Sequence, residues 1–338
     1  MKLNKVGIKE EYKNLMDEDI LSLLLIDRSS NKNIIWATND YSNLGSCYAS
    51  DQEITINLIS KKFSKLIRPR IEKNKKEQQY RIKQKAEVFT PSWICNHQNN
   101  LIDDAWFGYK NVFNTEENKA WITNNNKIIF PKTKTWKDYV KLNRIEISCG
   151  EAPYLVSRYD TVTGKFIEIN NRIGLLDRKI RIINENAEDK TTWIKWIYKA
   201  FKTTYGFEWQ GDNLLIARKN LLFSFIDYYY EKFKDYPTKK YLLKIAEILS
   251  WNLFQMDGLK FVIPNSCKPK VIKQMTLFND ANEFIFNADN VEEQYEKCQG
   301  CLKNDNNKHS GIYCEIMDWD KKQPIKFITL FNKGLNNE

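Results

Sequence analysis

The chain has 338 residues and a net charge of +10, and 13% of its residues are aromatic. That length allows one catalytic-size domain with appendages, and 18 Phe, 17 Tyr and 10 Trp exclude a disordered tail. No run approaches the roughly 18 apolar residues of a membrane span, the stretch from Met1 to Leu25 is too acidic for a secretory signal, and seven cysteines, an odd number, fit a reducing cytoplasm with free thiols and a metal site.

Residues 1–60 read as an α/β extension. Glu18 to Ile26 is a short apolar helical run, Asn33 to Thr38 a strand, and Asn39 to Gly45 turn chemistry. Residues 61–85 hold eleven Lys/Arg against two Glu, so +9 of the net charge sits there. Such a block is either a solvated helix face or an arm that contacts phosphates. In the second case Lys61, Lys62, Lys65, Arg68, Arg70, Lys73, Lys75 and Lys76 would meet DNA. Thr90-Pro91 then reads as a helix start, with Thr at the cap and Pro in the first turn. Residues 105–143 have poor periodicity and look like an insertion of loops and short strands.

Arg144 to Leu155 (RIEISCGEAPYL) reads as a strand running into a tight turn. Gly150 would let the backbone come close to a ligand above the strand end, and Glu146 would put a carboxylate beside the same crevice. Asp160 to Lys165 (DTVTGK) is a hairpin signal. The following RIGLLDRKIRIINE mixes Arg172, Asp177, Arg178, Lys179 and Arg181 with an apolar stripe; it reads as an amphipathic helix, or as a gate over a ligand or a contact to an acidic substrate. Trp193 to Thr204 is helical by its three- and four-residue steps. Glu208, just past a short apolar strand, suits the acid that accepts ribose hydroxyls in a Rossmann-like site, with Asp212 second. Leu214 to Phe233 and Tyr241 to Trp251 are helices, and Asp257-Gly258 follows as a turn. Finally, Cys298, Cys301, His309 and Cys314 form a Cys-x2-Cys-x7-His-x4-Cys series that suits structural zinc, with Cys267 the alternative fourth ligand in place of His309.

The RIEISCGEAPYL stretch resembles the first cofactor motif of adenine-specific DNA methyltransferases, acidic-Pro-x-Cys-Gly-Ser-Gly-x-Phe-Leu. Glu146 stands at the acidic position, and Cys149, Gly150 and Leu155 match; Ile147, Ala152 and Tyr154 replace the Pro, second Gly and Phe. From NIIWATNDY onward the chain is similar to proteins called "restriction endonuclease subunit M". AEVFTPSWICN, CGEAPYLVSRYDT, RIGLLDRKIRIINE, YGFEWQGDNLL and QMDGLKFVIPNSC are especially alike. The resemblance implies a Rossmann-like class I methyltransferase sheet with helices on both faces over residues 86–266. A small Cys-containing β module with a zinc knuckle would cover 267–338. It implies S-adenosylmethionine held by Phe89, Thr90, Pro91, Glu146, Cys149, Gly150, Glu208 and Asp257, the last on the adenine amino group. DNA and other restriction-modification subunits are the implied partners. The family also carries an (Asp/Asn/Ser)-Pro-Pro-aromatic turn that holds the target base. No Pro-Pro occurs in this chain, and Asn265 in IPNS is the nearest substitute. The implied function is DNA adenine methylation; a non-catalytic DNA-binding or assembly subunit and an RNA methyltransferase are the alternatives.

Overall fold

The structure, a computed structural model, describes residues 15–85, 87–275 and 291–335. Helix α1 (Glu18–Leu25) is capped by Asp17, whose carboxylate accepts from the Ile20 amide at 3.0 Å, and it buries Ile20, Leu24 and Leu25. The strand expected over 33–38 does not form as one. Strands β1 (Ile26–Asp27) and β2 (Lys32–Asn33) make a two-residue ladder, and Ile35 bridges Glu53. Beyond it the backbone is used by distant groups. The Gln255 amide accepts from the Ile35 N–H and donates to its carbonyl, and the Gly211 N–H donates to Trp36 O. After helix α2 (Ile56–Ile59) comes the basic segment, which ends in helix α3 (Lys75–Lys85).

That segment is no free arm. Arg81 is buried, with Glu87, Asp40 and Asp212 carboxylates at 2.5, 2.8 and 3.0 Å. Lys73 is buried 3.6 Å from Asp212, and Arg68 pairs with Glu77. The Arg70 backbone N–H donates to Glu151, and its guanidinium lies over Phe89. Lys61, Lys62, Lys65, Lys75 and Lys76 stay exposed. Composition could not reveal this, because Asp40 and Asp212 are remote in sequence.

Helix α4 (Ser92–Phe107) starts one step later than Thr90-Pro91 implied. Its cap position falls on Pro91, and the Asp160 carboxylate accepts from the Ser92 N–H at 2.7 Å. The insertion holds a hairpin, β3 (Asn114–Glu117) with β4 (Ala120–Thr123), and a short helix, α5 (Trp136–Lys141), that periodicity did not reveal.

The centre is a three-stranded parallel sheet of β5 (Arg144–Glu146), β6 (Thr204–Glu208) and β7 (Leu253–Gln255), in that order. Parallel neighbours need long crossovers. Helices α6 (Leu175–Asn186) and α7 (Lys190–Lys202) supply the first, and α8 (Gly211–Phe233) and α9 (Lys239–Asn252) the second. Most of α8 is buried, as a helix apolar around much of its circumference must be. The molecule is therefore α/β, with a parallel sheet organised by these crossovers.

Two features hold the layers together. Arg218 of α8 is buried and donates to the carbonyls of Leu24, Ile26, Ser250 and Leu253, so one guanidinium ties α1, α9 and β7 to α8. In α6, Asp177, Arg178 and Lys179 are buried as well. Arg178 pairs with Asp103 at 2.6 Å, and Lys179 Nζ donates to Leu142 O and Thr203 O at 2.6 and 3.0 Å. These charges bracket the core instead of forming a gate or meeting a substrate.

The C-terminal part contains strands β8 (Lys270–Met275) and β9 (Val291–Glu296), helix α10 (Gln299–Lys303), hairpin β10 (Glu315–Asp318) with β11 (Gln323–Lys326), and helix α11 (Ile328–Leu335). The β10–β11 hairpin runs directly into α11, which begins at Ile328. A second apolar core joins Phe207, Phe254, Met256, Phe261 and Ile263 to Cys314, Ile316 and Ile328, so packing continues across residue 266. No helix among the described residues is long and apolar enough to cross a membrane.

Candidate functional site

Ligands of open α/β sheets bind outside the carboxyl ends of the strands. Glu146 is the last residue of β5 and Glu208 the last of β6. Register pairs Glu146 with Gly206, so Glu208 reaches two residues further along the neighbouring strand. Beyond β5 the chain turns sharply: Ser148, Gly150 and Ala152 have φ of 49°, 54° and 63°. Gly150 takes that conformation freely, whereas Ser148 and Ala152 bear a cost of about 1–2 kcal/mol each. What the turn gains is anchoring. The Cys149 N–H donates to Phe207 O and the Gly150 N–H to Glu208 Oε2, both at 2.8 Å.

Above this turn lies a cavity of about 770 Å³, in the range of small-molecule sites. Phe89, Thr90, Glu146, Cys149, Gly150 and Glu208 all line it, so most of the residues singled out from the sequence meet at one place. The Phe89 ring would lie 3.7 Å from a Cβ on Gly150, which places it directly over the turn. Lys85, Glu87, Asn99, Tyr154, Trp209 and Asn213 also line the wall and were not anticipated. Of these, Tyr154 lies within RIEISCGEAPYL, Glu87 within AEVFTPSWICN, and Trp209 and Asn213 within YGFEWQGDNLL, but none carries a spacing that marks it as a wall residue.

The electrostatics favour a particular ligand. Burial holds the Glu146 carboxyl well above its usual range, although the Tyr154 and Leu155 N–H groups favour its ionised form. Burial pushes Glu208 up to about 7, against N–H bonds from Gln210 and Gly150. Neither carboxylate has an ion-pair partner among the described residues, whereas Glu87 is paired with Arg81. Two buried acids without a counter-cation would be stabilised in their ionised form by a ligand that brings positive charge or donating hydroxyls, and in that form they repel a phosphate. Cys149 is buried and its thiol is pushed well up by that burial, so it is a wall residue and not a nucleophile.

Four residues singled out from the sequence sit elsewhere. Asp212, the second choice for the ribose hydroxyls, is not in the cavity wall: it is buried beside Arg81 and Lys73 and accepts from the Tyr41 hydroxyl. Pro91 does not line the cavity but a neighbouring cleft, at the start of α4. Asp257 is not among the lining residues: its carboxylate accepts from the Leu259 and Lys260 N–H groups and lies 3.6 Å from Lys260 Nζ. The Asp-Gly turn is what these atoms serve. Asn265 is exposed at φ 59°, and its amide reaches Ser50 O at 3.5 Å. It too lies away from the cavity wall.

The cysteine series gathers with one exchange. Cys267, Cys298, Cys301 and His309 present ligand atoms all within 4.8 Å of one another, a set able to hold a metal ion. His309 Nδ1 lies 3.6–3.7 Å from all three sulfurs, separations that suit donors around one tetrahedral ion. Cys314 is not part of it. Its buried thiol points into the second core and donates to Gln255 O at 3.2 Å. Sequence proximity favoured Cys314, but β8 and β9 return the chain so that Cys267, preceding them, meets Cys298, following them.

None of the protein-family profiles, curated proteins or solved structures compared with this chain matches it. The site therefore has to be read from its own chemistry.

Proposed function

We propose that this chain binds S-adenosylmethionine in the cavity above β5 and β6 and serves DNA adenine methylation in a restriction-modification type system. The observation that carries the reading is the pairing of two buried acids, Glu146 and Glu208, at the carboxyl ends of adjacent parallel strands across a left-handed turn. Glu208 would accept from the ribose hydroxyls, Glu146 would face the positively charged end through the turn, and Phe89 and Thr90 would cover the ligand. Bound there, S-adenosylmethionine supplies an electrophilic methyl group for attack by a base amino nitrogen. The protein's part is to position the reactants. This reading extends the sheet observed here to the class I methyltransferase fold. Zinc is the ion proposed for the Cys3His set, on its donor chemistry.

A second reading has its own support. No Pro-Pro-aromatic turn exists in the chain, and Asn265, the substitute, lies outside the cavity. A subunit that binds the cofactor and DNA without transferring the methyl group fits that placement. Calorimetry with S-adenosylmethionine, followed by transfer of labelled methyl groups to plasmid DNA, separates the readings. Binding with transfer supports the enzyme, binding without transfer supports the subunit, and absence of binding removes both.

A further inference from the structure

We propose that the groove between α5 and α7, and not the basic segment 61–85, is the track that holds a nucleic-acid backbone and leads it toward the cavity. This groove, about 560 Å³, is lined by Lys141, Lys195, Lys199 and Lys202 with Trp196, and no carboxylate lines it. It shares Lys199 and Lys202 with a second hollow of about 380 Å³, which reaches Ile145. Ile145 in turn lines the ligand cavity, so each concavity shares a wall residue with the next.

The lysines are interleaved with half-buried indoles. Lys137 lies 5.8 Å and Lys141 6.0 Å from the Trp196 ring centre, and Lys202 lies 4.8 Å from that of Trp319. The Trp136 and Trp196 rings pack edge to face at 4.7 Å and fix this surface. Acids enter at the second hollow, which Asp318 and Asp320 also line, and Asp320 pairs with Lys199 at 3.2 Å. Burial and then the like charges of Lys244 and Lys199 lower the Lys202 ammonium's pKa, with Glu247 opposing them. A polymer of evenly spaced phosphates with flat bases matches a basic, indole-bearing trough. A flat anionic membrane would not enter it. The basic segment, by contrast, has Arg81 and Lys73 committed to buried acids. The track itself needs only charge and shape; delivery of a target into the cavity rests on the cofactor reading.

The experiment is fluorescence anisotropy with a short labelled duplex and its single strand, without cofactor, over a salt series. Lys141→Glu with Lys195→Glu changes two exposed side chains, and Lys141→Gln with Lys195→Gln repeats the test without reversing charge. At least a tenfold loss of affinity is expected for the reversal, with the slope of log K against log salt reduced by about 2. Lys61→Glu with Lys62→Glu should change affinity less than twofold. Unchanged binding in the groove variants, loss confined to the Lys61/Lys62 variant, or a preference for phosphatidylserine vesicles over the oligonucleotide would overturn the inference. Loss in the groove variants supports it even where calorimetry finds no S-adenosylmethionine binding, so the two readings fail separately.

Discussion

Glu208 carries a pKa near 7 because burial outweighs the two N–H groups that favour its ionised form. The folded value lies above the unfolded one of about 4.3. Its contribution to stability is therefore fully present below about pH 4.3 and is lost as pH rises through about 7. Urea denaturation of the free protein should show stability falling between about pH 4.3 and about 7, and Glu208→Gln should flatten part of that fall. If the cavity takes S-adenosylmethionine as proposed, binding would run the other way, since ribose hydroxyls would donate to the ionised carboxylate. Affinity for S-adenosylmethionine should drop by up to tenfold per pH unit below about 7, with proton release measurable by calorimetry in two buffers. Loss of the charged acceptor in Glu208→Gln should cost about 1.5–3 kcal/mol of binding. Asp257 gives the contrasting case. Its oxygens are committed to a turn, so Asp257→Asn should leave ligand affinity within twofold while lowering stability by about 1 kcal/mol. A tenfold affinity loss there would mean that it does reach the adenine.

Among the elements, the crossover helices were the most legible part of the sequence. The periodic runs Leu214–Phe233 and Tyr241–Trp251 each lie within a helix, and Trp193–Thr204 overruns its helix by two residues, since that helix ends at Lys202 and Thr204 opens β6. The strand-turn after Arg144 was legible for a different reason: Gly150 and the acid mark it locally. The strand expected at 33–38 failed because its hydrogen-bonding groups go to Gln255 and Gly211, partners that no local pattern reveals. The metal set was nearly legible. Spacing found three of its four members and placed the fourth wrongly, since Cys267 arrives through a strand pairing more than twenty residues away. Cys267→Ser should therefore lower zinc content in metal analysis of the purified protein, and Cys314→Ser should retain it. The reverse result would return Cys314 to the set.

At the scale of the whole molecule, the N-terminal extension and the sheet are one body joined at Gly211. A Cβ there would come within 2.0 Å of Ile35 O, so the start of α8 can approach the extension only as glycine. Gly211→Ala should loosen residues 15–60 and raise their trypsin cleavage several-fold, with a destabilisation of about 1–3 kcal/mol from the overpacking. An unaltered digest would show the contact to be slack. This dependence was invisible in the sequence, as was the fate of the basic segment. Composition shows how much charge a stretch carries, whereas its burial depends on acids that folding brings from elsewhere.

The alternation along β6 has an outcome of its own. Phe207 and Glu208 face opposite ways, the ring toward the aromatic cluster with Phe254 and the acid toward the cavity. A slip of one position would exchange them, driving a carboxyl among phenyl rings and thrusting a benzyl group into the chamber. Correct alignment of this short strand and the presence of a polar mouth are thus a single event, and a molecule that folds at all has already aimed its acid.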